Sequence, residues 1–534
     1  MKSYIMTGCH ESVLLEFTLG RSVAVMKVEV KVGNIADWKD EAIVVNLFEG
    51  VKKTGGATRA VDRAMGGAIS KVIAAGDFQG KFKQVTIFPT LGKIPAKRVM
   101  IVGLGKKSEF SLDRIREVSG KASLESRQLG ISSFSTIVHG AGIGGCDFSD
   151  ATEAVTEGAL LALYRFSRYK TKEEENKEPK KMTIITNESR QVLAMREAIN
   201  AATIIASSTN IVKDLVNIPG NEKPPRKLAQ MSVSIAKEAG VKCQVLDEKI
   251  ISKLGMNALI AVGKGSDEPP RFLILEYKGS KHGKPIVFVG KGITFDTGGI
   301  SLKPQESPIG PMWEMRHDMT GMATVLAVVY AAAKLKLSLN IVGLAPMAEN
   351  MPSGSAQRPG DIIKGYSGKT IEVLNTDAEG RLILADALAY AEKWNPQAVI
   401  DIATLTGAAI IALGRKVTPI LGNDSDLIKH IEKAAEKTGE RVWQLPLFDE
   451  YAEQLKSSLA DIVNTGGRSA GTITAAMFLK HFIGEIPWVH IDIAGTCWVH
   501  GGPESIDKTY MPKGPSGICV RLLIKGLRDW GKSA

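Results

Sequence analysis

Residues 375–382 contain the side chains whose types and spacing point most directly to chemistry. The octapeptide reads Asn-Thr-Asp-Ala-Glu-Gly-Arg-Leu, so Asp377, Glu379 and Arg381 alternate with small residues. In an extended segment, alternate side chains leave the backbone on the same face. Two carboxylates and a guanidinium crowded on one face favour a bound metal cluster that supplies positive charge between the acids. A solvated loop with a single ion pair is the alternative.

A second set of charged residues lies upstream of the octapeptide. The apolar run 285–290 is short enough to be a buried parallel strand, and it leads into a glycine-rich segment with Lys291, Asp296 and Lys303. Farther on, Asp318 precedes an apolar stretch of small residues that predicts a buried helix. Taken alone, this aspartate is most simply explained as a helix N-cap.

The two sets together predict four carboxylates at the ends of strands: Asp296, Asp318, Asp377 and Glu379. Residues 370–374 read as a strand, and the residues after the octapeptide have helical periodicity. The acids would therefore lie at strand-to-helix connections, where α/β folds usually place their sites. Four carboxylates are enough to hold two divalent cations through oxygen ligands.

Several long motifs carry a resemblance to a known family. Residues 289–299 read Val-Gly-Lys-Gly-Ile-Thr-Phe-Asp-Thr-Gly-Gly, and residues 350–361 read Asn-Met-Pro-Ser-Gly-Ser-Ala-Gln-Arg-Pro-Gly-Asp. With the octapeptide, these segments resemble the leucyl aminopeptidase (cytosol aminopeptidase) family of two-metal exopeptidases. Further similar stretches are 217–221, 401–408 and 468–476. The resemblance extends in order from about Val212 to the C-terminus, and more loosely over the half before it.

The resemblance implies two divalent metal ions that share two ligands. The ligands implied for one ion are Asp296, Asp377 and Glu379, and those implied for the other are Lys291, Asp296, Asp318 and Glu379. Lys291 could ligate only as the neutral amine, which two adjacent dications would favour. The resemblance does not choose among Zn²⁺, Mn²⁺, Mg²⁺ and Co²⁺, although ligands without His or Cys favour an exchangeable metal such as Mn²⁺ in one position.

The same resemblance implies removal of the N-terminal residue from peptides. The metals would activate a shared water, and the substrate α-amino group would bind one metal and pair with Asp318. Lys303 and Arg381 would be the catalytic residues that bind no metal, with Lys303 stabilising the oxyanion and Arg381 holding a bicarbonate ion that shuttles the proton. The stretch between Lys303 and Asp318 is longer than is usual in the family, so Asp318 is assigned from its context. His317 beside it is predicted to be structural.

An apolar pocket would give a preference for leucine or another apolar residue. The resemblance implies that its wall comprises Met315, Thr404, Gly407, Ala494 and Cys497, with the Thr404 carbonyl also accepting from the substrate amine. Cys497 stands where methionine is common in the family, so the pocket could be wider or differently shaped. Ordinary core packing is the alternative for Met315, Ala494 and Cys497.

The predicted fold class is α/β with two domains, each a mostly parallel sheet flanked by helices. At 534 residues the chain is too long for one core. A charged segment at 170–181 separates a smaller, macro-like N-terminal domain from a larger catalytic domain. The predicted bounds are 1–25 for an appended extension or misassigned start, 26–190 for the N-terminal domain, 191–216 for a linker helix and 217–534 for the catalytic domain.

The composition of the chain indicates its cellular compartment and its possible partners. The chain is 44% hydrophobic and 23% charged, its apolar runs are shorter than a membrane span, and its five cysteines include no Cys-x-x-Cys pair. These features favour a cytoplasmic protein without a disulfide framework. The resemblance also implies a homohexamer. A net charge of +11, with dense basic residues at 51–100, leaves DNA binding open as an added role, although charge for solubility is the simpler explanation.

Two other enzyme classes find little support. Residues 467–471 fit Gly-x-Ser-x-Gly, and Asp492 and His500 follow in the order of an α/β-hydrolase, but the residues before the serine read as a loop rather than a strand. Glycine-rich segments near Gly103 and Gly290 do not complete a nucleotide-binding motif, and tight turns explain them.

Overall fold

The computed structural model describes residues 26–140, 145–172, 177–305 and 310–530. The predicted extension at 1–25 lies outside the described residues. Two large β-sheets with helices on their faces dominate the structure, which confirms the predicted two-domain α/β class.

The first sheet is formed by residues of the N-terminal part. Its strands are β1 (Lys27–Val32), β2 (Ala42–Leu47), β3 (Val85–Pro89), β4 (Arg98–Gly103), β5 (Ser133–Thr136) and β6 (Lys181–Thr186). The spatial order is β1-β6-β5-β2-β4-β3, and every neighbouring pair is parallel except β3 with β4. The helices of this part are α1 (Gly56–Ala64), α2 (Ala68–Ala74), α3 (Leu112–Gln128) and α4 (Phe148–Ala162).

A 26-residue helix, α5 (Val192–Asn217), leads from the first sheet to the second. It occupies the stretch for which a linker helix was predicted. The elements that follow, up to the second sheet's longest strand, are α6 (Pro225–Glu238), β7 (Lys242–Leu246), α7 (Glu248–Leu254), α8 (Asn257–Gly263), β8 (Arg271–Lys278), β9 (Ile286–Gly290), β10 (Gly292–Asp296), α9 (Thr320–Lys334) and β11 (Asn340–Asn350). Helix α5 packs against both α4 and α9 and so joins the two halves.

The remaining elements complete the larger half. They are β12 (Ile362–Lys364), β13 (Thr370–Glu372), α10 (Glu379–Ala391), β14 (Ala398–Ala403), α11 (Gly407–Leu413), β15 (Thr418–Gly422), α12 (Ser425–Thr438), β16 (Val442–Gln444), β17 (Ile462–Val463), α13 (Gly471–Ile483), β18 (Trp488–Asp492), β19 (Trp498–Val499), β20 (Gly514–Pro515) and α14 (Val520–Trp530). A nine-stranded sheet has the order β16-β15-β18-β14-β9-β11-β8-β7, and β10 pairs with β11. Strands β12, β13 and β17 form a separate small sheet.

The centre of the large sheet is parallel and buried. Strands β18, β14, β9 and β11 run in the same direction, and every residue of β9 and β14 is buried. This confirms the buried parallel strand predicted at 285–290. Helix α9 is buried along almost its whole length, as its small residues predict. Gly321 lets it approach β14, because a Cβ there would lie 2.0 Å from the carbonyl oxygen of Ile402.

Candidate metal centre

The predicted ligands lie where the parallel strands of the large sheet end. Lys291 is the single residue between β9 and β10, and Asp296 is the last residue of β10. Asp318 follows a 3-10 helix at Met312–His317 and directly precedes the start of α9. The N-cap role considered for Asp318 is wrong, because the N-cap position of α9 is Met319 and the Asp318 carboxylate faces Lys291 instead.

The octapeptide is not extended, so the premise about alternating side chains is wrong. Strand β13 ends at Glu372, Asp377 lies in a turn, and Glu379 and Arg381 belong to the first turn of α10. The helix begins three residues earlier than its periodicity predicted. The acids nevertheless converge, because the turn brings Asp377 next to the first residue of the helix.

The ammonium of Lys291 links two of the predicted acids. Its Nζ lies 2.7 Å from Asp318 Oδ2 and 2.8 Å from Glu379 Oε1, and it donates to the Thr404 carbonyl at 2.9 Å. Gly380 permits this packing, since a Cβ at that position would lie 2.5 Å from Cε of Lys291. The glycine between Glu379 and Arg381 therefore has a steric function.

Lys303 links the other two acids. Its Nζ lies 2.8 Å from Asp296 Oδ2 and 2.5 Å from Asp377 Oδ1. Asn350, at the end of β11, donates to Asp296 Oδ1 at 2.8 Å and to the Thr376 carbonyl at 3.1 Å, so one amide connects β10 to the octapeptide loop. Sequence reasoning missed Asn350, although its motif was recognised.

The pKa values of the four acids are shifted in different directions. Burial and the nearby Asp296 raise the pKa of Asp377 to about 7 and that of Glu379 to about 7. Burial and Asp296 likewise raise the pKa of Asp318 to about 6. Burial also opposes ionisation of Asp296, but the charges of Lys303 and Lys291, with the hydrogen bonds from Lys303 and the Gly298 N–H, together outweigh it and lower the pKa of Asp296. At Asp318, Asp377 and Glu379, burial and the neighbouring carboxylates together outweigh the two lysines, which favours additional positive charge at this site.

The donor set fits divalent cations. Asp296, Asp377 and Glu379 each offer a carboxylate oxygen, and these oxygens lie within 4.8 Å of one another. Three buried oxygens lie at ion-pair distance from a lysine but make no hydrogen bond within the described residues: Asp318 Oδ2, Asp377 Oδ1 and Glu379 Oε1. Hard carboxylate oxygens with spare acceptor capacity are suitable ligands for Mn²⁺, Mg²⁺ or Zn²⁺.

Comparisons with known proteins agree with this geometry. Sequence models of the cytosol aminopeptidase family match the chain twice, with the catalytic domain over residues 210–524 and the N-terminal domain over residues 44–173. The chain is 44% identical to a probable cytosol aminopeptidase of Geobacter sp. (strain M21), over 94% of this chain and 100% of that protein. The chain belongs to the cytosol aminopeptidase family.

Other members of the family are similar over nearly the same span. The cytosol aminopeptidase of Pseudomonas aeruginosa PAO1 is 44% identical, over 92% of this chain and 97% of that protein. Among solved structures, the bottromycin maturation enzyme BotP in complex with Mn is 32% identical with a TM-score of 0.80, covering 92% of this chain and 99% of that one. As a member of this family, the protein is a metal-dependent aminopeptidase.

Arg381 is held in a buried position beside the acids. Its Nη1 donates to the Asn464 carbonyl at 2.8 Å, while its Nε has no hydrogen-bond partner among the described residues. Burial lowers the pKa of Arg381 to about 10. In the sequence, Asn464 lies in a segment typical of a loop, and no local signal marks it.

The residues predicted for the substrate pocket lie on neighbouring loops. Met315, in the 3-10 helix, is buried, as are Thr404 after β14 and Cys497 after β18. Gly407 and Ala494 are partly exposed. The Cys497 thiol lies 3.7 Å from the Ala494 carbonyl oxygen. Their assignment to a substrate pocket stays a prediction.

The residues of the serine-hydrolase alternative have other partners. Asp492 accepts from the hydroxyl of Thr406 at 2.7 Å, and His500 contacts Arg415 at 2.9 Å. The serine of the Gly-x-Ser-x-Gly segment lies between β17, a strand of only two residues, and α13. Within the described residues, no strand leads directly into this serine, as a nucleophile elbow requires. The cysteines in the described part of the chain are free, and no described helix is long and apolar enough to cross a membrane.

Proposed function

We propose that the protein releases apolar N-terminal residues, leucine in particular, from peptides at a centre of two divalent metal ions. One ion would be held by Asp296, Asp377 and Glu379, and the other by Lys291, Asp296, Asp318 and Glu379. The observation that carries this proposal is the convergence of four carboxylates from separate elements, three of them with oxygens within 4.8 Å of one another. When bound, such ions supply an activated water and polarise the scissile carbonyl.

Lys303 and Arg381 would act on the substrate without binding metal. The Lys303 ammonium lies beside Asp296 and Asp377, where it can stabilise negative charge that develops on the carbonyl oxygen. Arg381 presents a planar guanidinium whose Nε has no hydrogen-bond partner among the residues that the structure describes, and this geometry suits a small oxyanion such as bicarbonate as a proton carrier. As a metal ligand, Lys291 would have to lose a proton, which requires cations close by because its carboxylate neighbours outweigh burial and raise its pKa.

Recognition of the N-terminus would depend on Asp318 and Thr404. The Thr404 hydroxyl donates to Asp318 Oδ1 at 2.5 Å, which fixes the Asp318 carboxylate next to residue Thr404 and its backbone carbonyl. The Asp318 carboxylate and the Thr404 carbonyl would both accept hydrogen bonds from a substrate ammonium or amine. The walls formed by Met315, Ala494 and Cys497 would then contact the first side chain.

The test is hydrolysis of leucine amide by metal-stripped protein to which Mn²⁺, Zn²⁺, Mg²⁺ or Co²⁺ is returned singly. We expect no turnover without metal and the highest turnover with Mn²⁺, because oxygen-rich ligands favour it and a structurally similar enzyme was solved with Mn. Lysine amide and glutamate amide serve as matched substrates, and both should be cleaved more slowly. Equal turnover with and without metal would contradict the proposal.

A further inference from the structure

The side chain of Asn464 makes four hydrogen bonds to the loop that carries the proposed metal ligand Asp377. Its side-chain Oδ1 accepts from the backbone N–H groups of Leu374 at 2.8 Å and Asn375 at 3.3 Å. Its Nδ2 donates to the carbonyls of Asn375 at 2.7 Å and Ala378 at 3.4 Å. The residue is completely buried, so water cannot replace these bonds.

The position of Asn464 in the small sheet explains this pattern. It directly follows β17, and its own N–H donates to the carbonyl of Glu372 at the end of β13. Beyond this point the two strands separate. The Asn464 amide then offers one acceptor and one donor group to the departing loop, as a further strand residue would. The loop is therefore fixed without continuing the sheet.

The main chain of the same residue fixes the proposed catalytic arginine. The Asn464 carbonyl accepts from Arg381 Nη1 at 2.8 Å, and the side-chain bonds hold that carbonyl in register with the loop. One buried residue thus contacts both the loop that carries Asp377 and the side chain of Arg381 in the first turn of α10.

We propose that Asn464 is a positioning residue that fixes both the metal-ligand loop 374–378 and the Arg381 guanidinium. This inference rests on the proposed function, because it requires Asp377 to bind metal and Arg381 to act in catalysis. Groups that orient metal ligands typically contribute 10- to 100-fold to metal affinity or activity. The binding of the substrate amine should depend much less on Asn464, since Asp318 and Thr404 lie on other elements.

The experiment compares Asn464→Ala with Asn340→Ala in the full-length protein. Asn340 is a matched control because its amide likewise bonds several backbone groups, three against the four of Asn464: those of Ser280, His282 and Gly283. It lies at the opposite end of β11 from Asn350, roughly 30 Å from the candidate metal centre. Affinity for Mn²⁺ is measured by calorimetry on metal-stripped protein, and kcat and KM are measured with leucine amide.

For Asn464→Ala we expect a 10- to 100-fold weaker Mn²⁺ affinity, a similar fall in kcat, and a KM within about threefold of the parent value. Asn340→Ala should change none of these three quantities by more than twofold, even if its melting temperature falls as far as that of Asn464→Ala. Should Asn464→Ala fail to fold, Asn464→Asp keeps the acceptor bonds and removes both donors, and we expect the same pattern. Metal affinity and kcat equal to those of Asn340→Ala would overturn the inference.

Two parallel variants separate this inference from the proposed function. If Asp377→Asn keeps its metal affinity and Arg381→Ala keeps its turnover, the proposed function fails whatever Asn464 does. If Asp377→Asn loses metal affinity and Arg381→Ala loses turnover while Asn464→Ala retains both, only the positioning role fails.

Discussion

Lys303 lies between two carboxylates of the candidate metal centre, with its ammonium within ion-pair distance of Asp296 and Asp377. Its side chain is not fully enclosed, since 15% of it remains exposed, whereas 4% of the Lys291 side chain does. The more accessible lysine is the one that a substrate carbonyl could approach. This difference in exposure supports the separate roles proposed for the two lysines.

We expect Lys303→Met to lower kcat by about 10²–10³-fold, because removal of one donor to an oxyanion typically has this effect. KM should change little, as the lysine is not proposed to bind the ground-state substrate. Steady-state kinetics with leucine amide measure both constants. Lys334→Met is a suitable control, since Lys334 lies 3.9 Å from Glu238 in an exposed ion pair. A kcat within threefold of the parent value would contradict the role of Lys303.

At the scale of elements, α5 and the segment after it contain two buried lysines that differ in their hydrogen bonding. Lys213 Nζ makes no hydrogen bond within the described residues and lies 5.0 Å from the ring centre of Tyr164. Lys223 Nζ donates to three carbonyls, those of Leu215, Val216 and Arg316. The first lysine is buried without a hydrogen bond within the described residues, and the second connects the end of α5 to the segment that leads to Asp318.

Lys213→Met should stabilise the protein in a pH-dependent way. Burial, and secondarily the charge of Arg521, lowers the pKa of Lys213 to about 7. Between about pH 7 and 10.5 the unfolded chain binds a proton that the folded chain does not, so the parent protein gains stability as pH rises. The variant lacks this dependence. We expect it to be more stable by a few kcal/mol at pH 7, since each pKa unit corresponds to about 1.4 kcal/mol, with a smaller difference at pH 9. Urea unfolding at the two pH values measures this difference, and a gain that grows with pH would contradict it.

Lys223→Met should have the opposite effect. Removing its donors leaves three buried carbonyls without their partner, and each unsatisfied group costs about 1–3 kcal/mol. We therefore expect a loss of roughly 3 kcal/mol or more in the free energy of unfolding, measured by urea unfolding at pH 7. Lys213→Met serves as the matched control for loss of a buried lysine. Equal stability of the two variants would show that the carbonyl contacts are unimportant.

The elements that the sequence predicted well are those set by local pattern. The apolar run that became β9 specifies a strand buried on both faces, and the small residues of α9 specify a helix buried along its length. The ligand identities came from long motifs rather than from periodicity. Asn350 and Asn464 were missed because an asparagine in a loop is common, and its partners lie 54 and about 90 residues away in the chain. Such pairings follow from tertiary structure and leave no local signal.

At the scale of the whole molecule, the two halves are joined by buried ion pairs as well as by α5. Arg116 pairs with Glu157 at 2.5 Å within the first half, and Arg521 from α14 lies 3.7 Å from the same glutamate. Arg528 donates to both oxygens of Glu153 at 2.7 and 2.9 Å. Since breaking a buried pair is costly, the contacts of Arg521 and Arg528 with these glutamates help to fix the first half on the catalytic half.

The oligomeric state is a further prediction at this scale. The family resemblance implies a homohexamer, so light scattering at assay concentration should give six times the 57.3 kDa mass of the chain. Exposed apolar side chains such as Ile411 and Trp443 are compatible with burial between subunits. A monomer at assay concentration would contradict this prediction, and it would leave the residues of the metal centre unaffected.

The final prediction concerns DNA binding by the basic residues at 51–100. Within this range Asp62 is buried and bonds Ser70, so Asp77 is the exposed acid among many exposed lysines and arginines. Such a surface attracts phosphate through counterion release, which weakens steeply as salt rises. Because no nucleic-acid motif accompanies it, we expect a gel shift at low salt that disappears near physiological salt. Lys52→Glu combined with Lys53→Glu should weaken the low-salt shift. Retardation that persists at physiological salt and is lost in this double variant would instead establish a DNA-binding role.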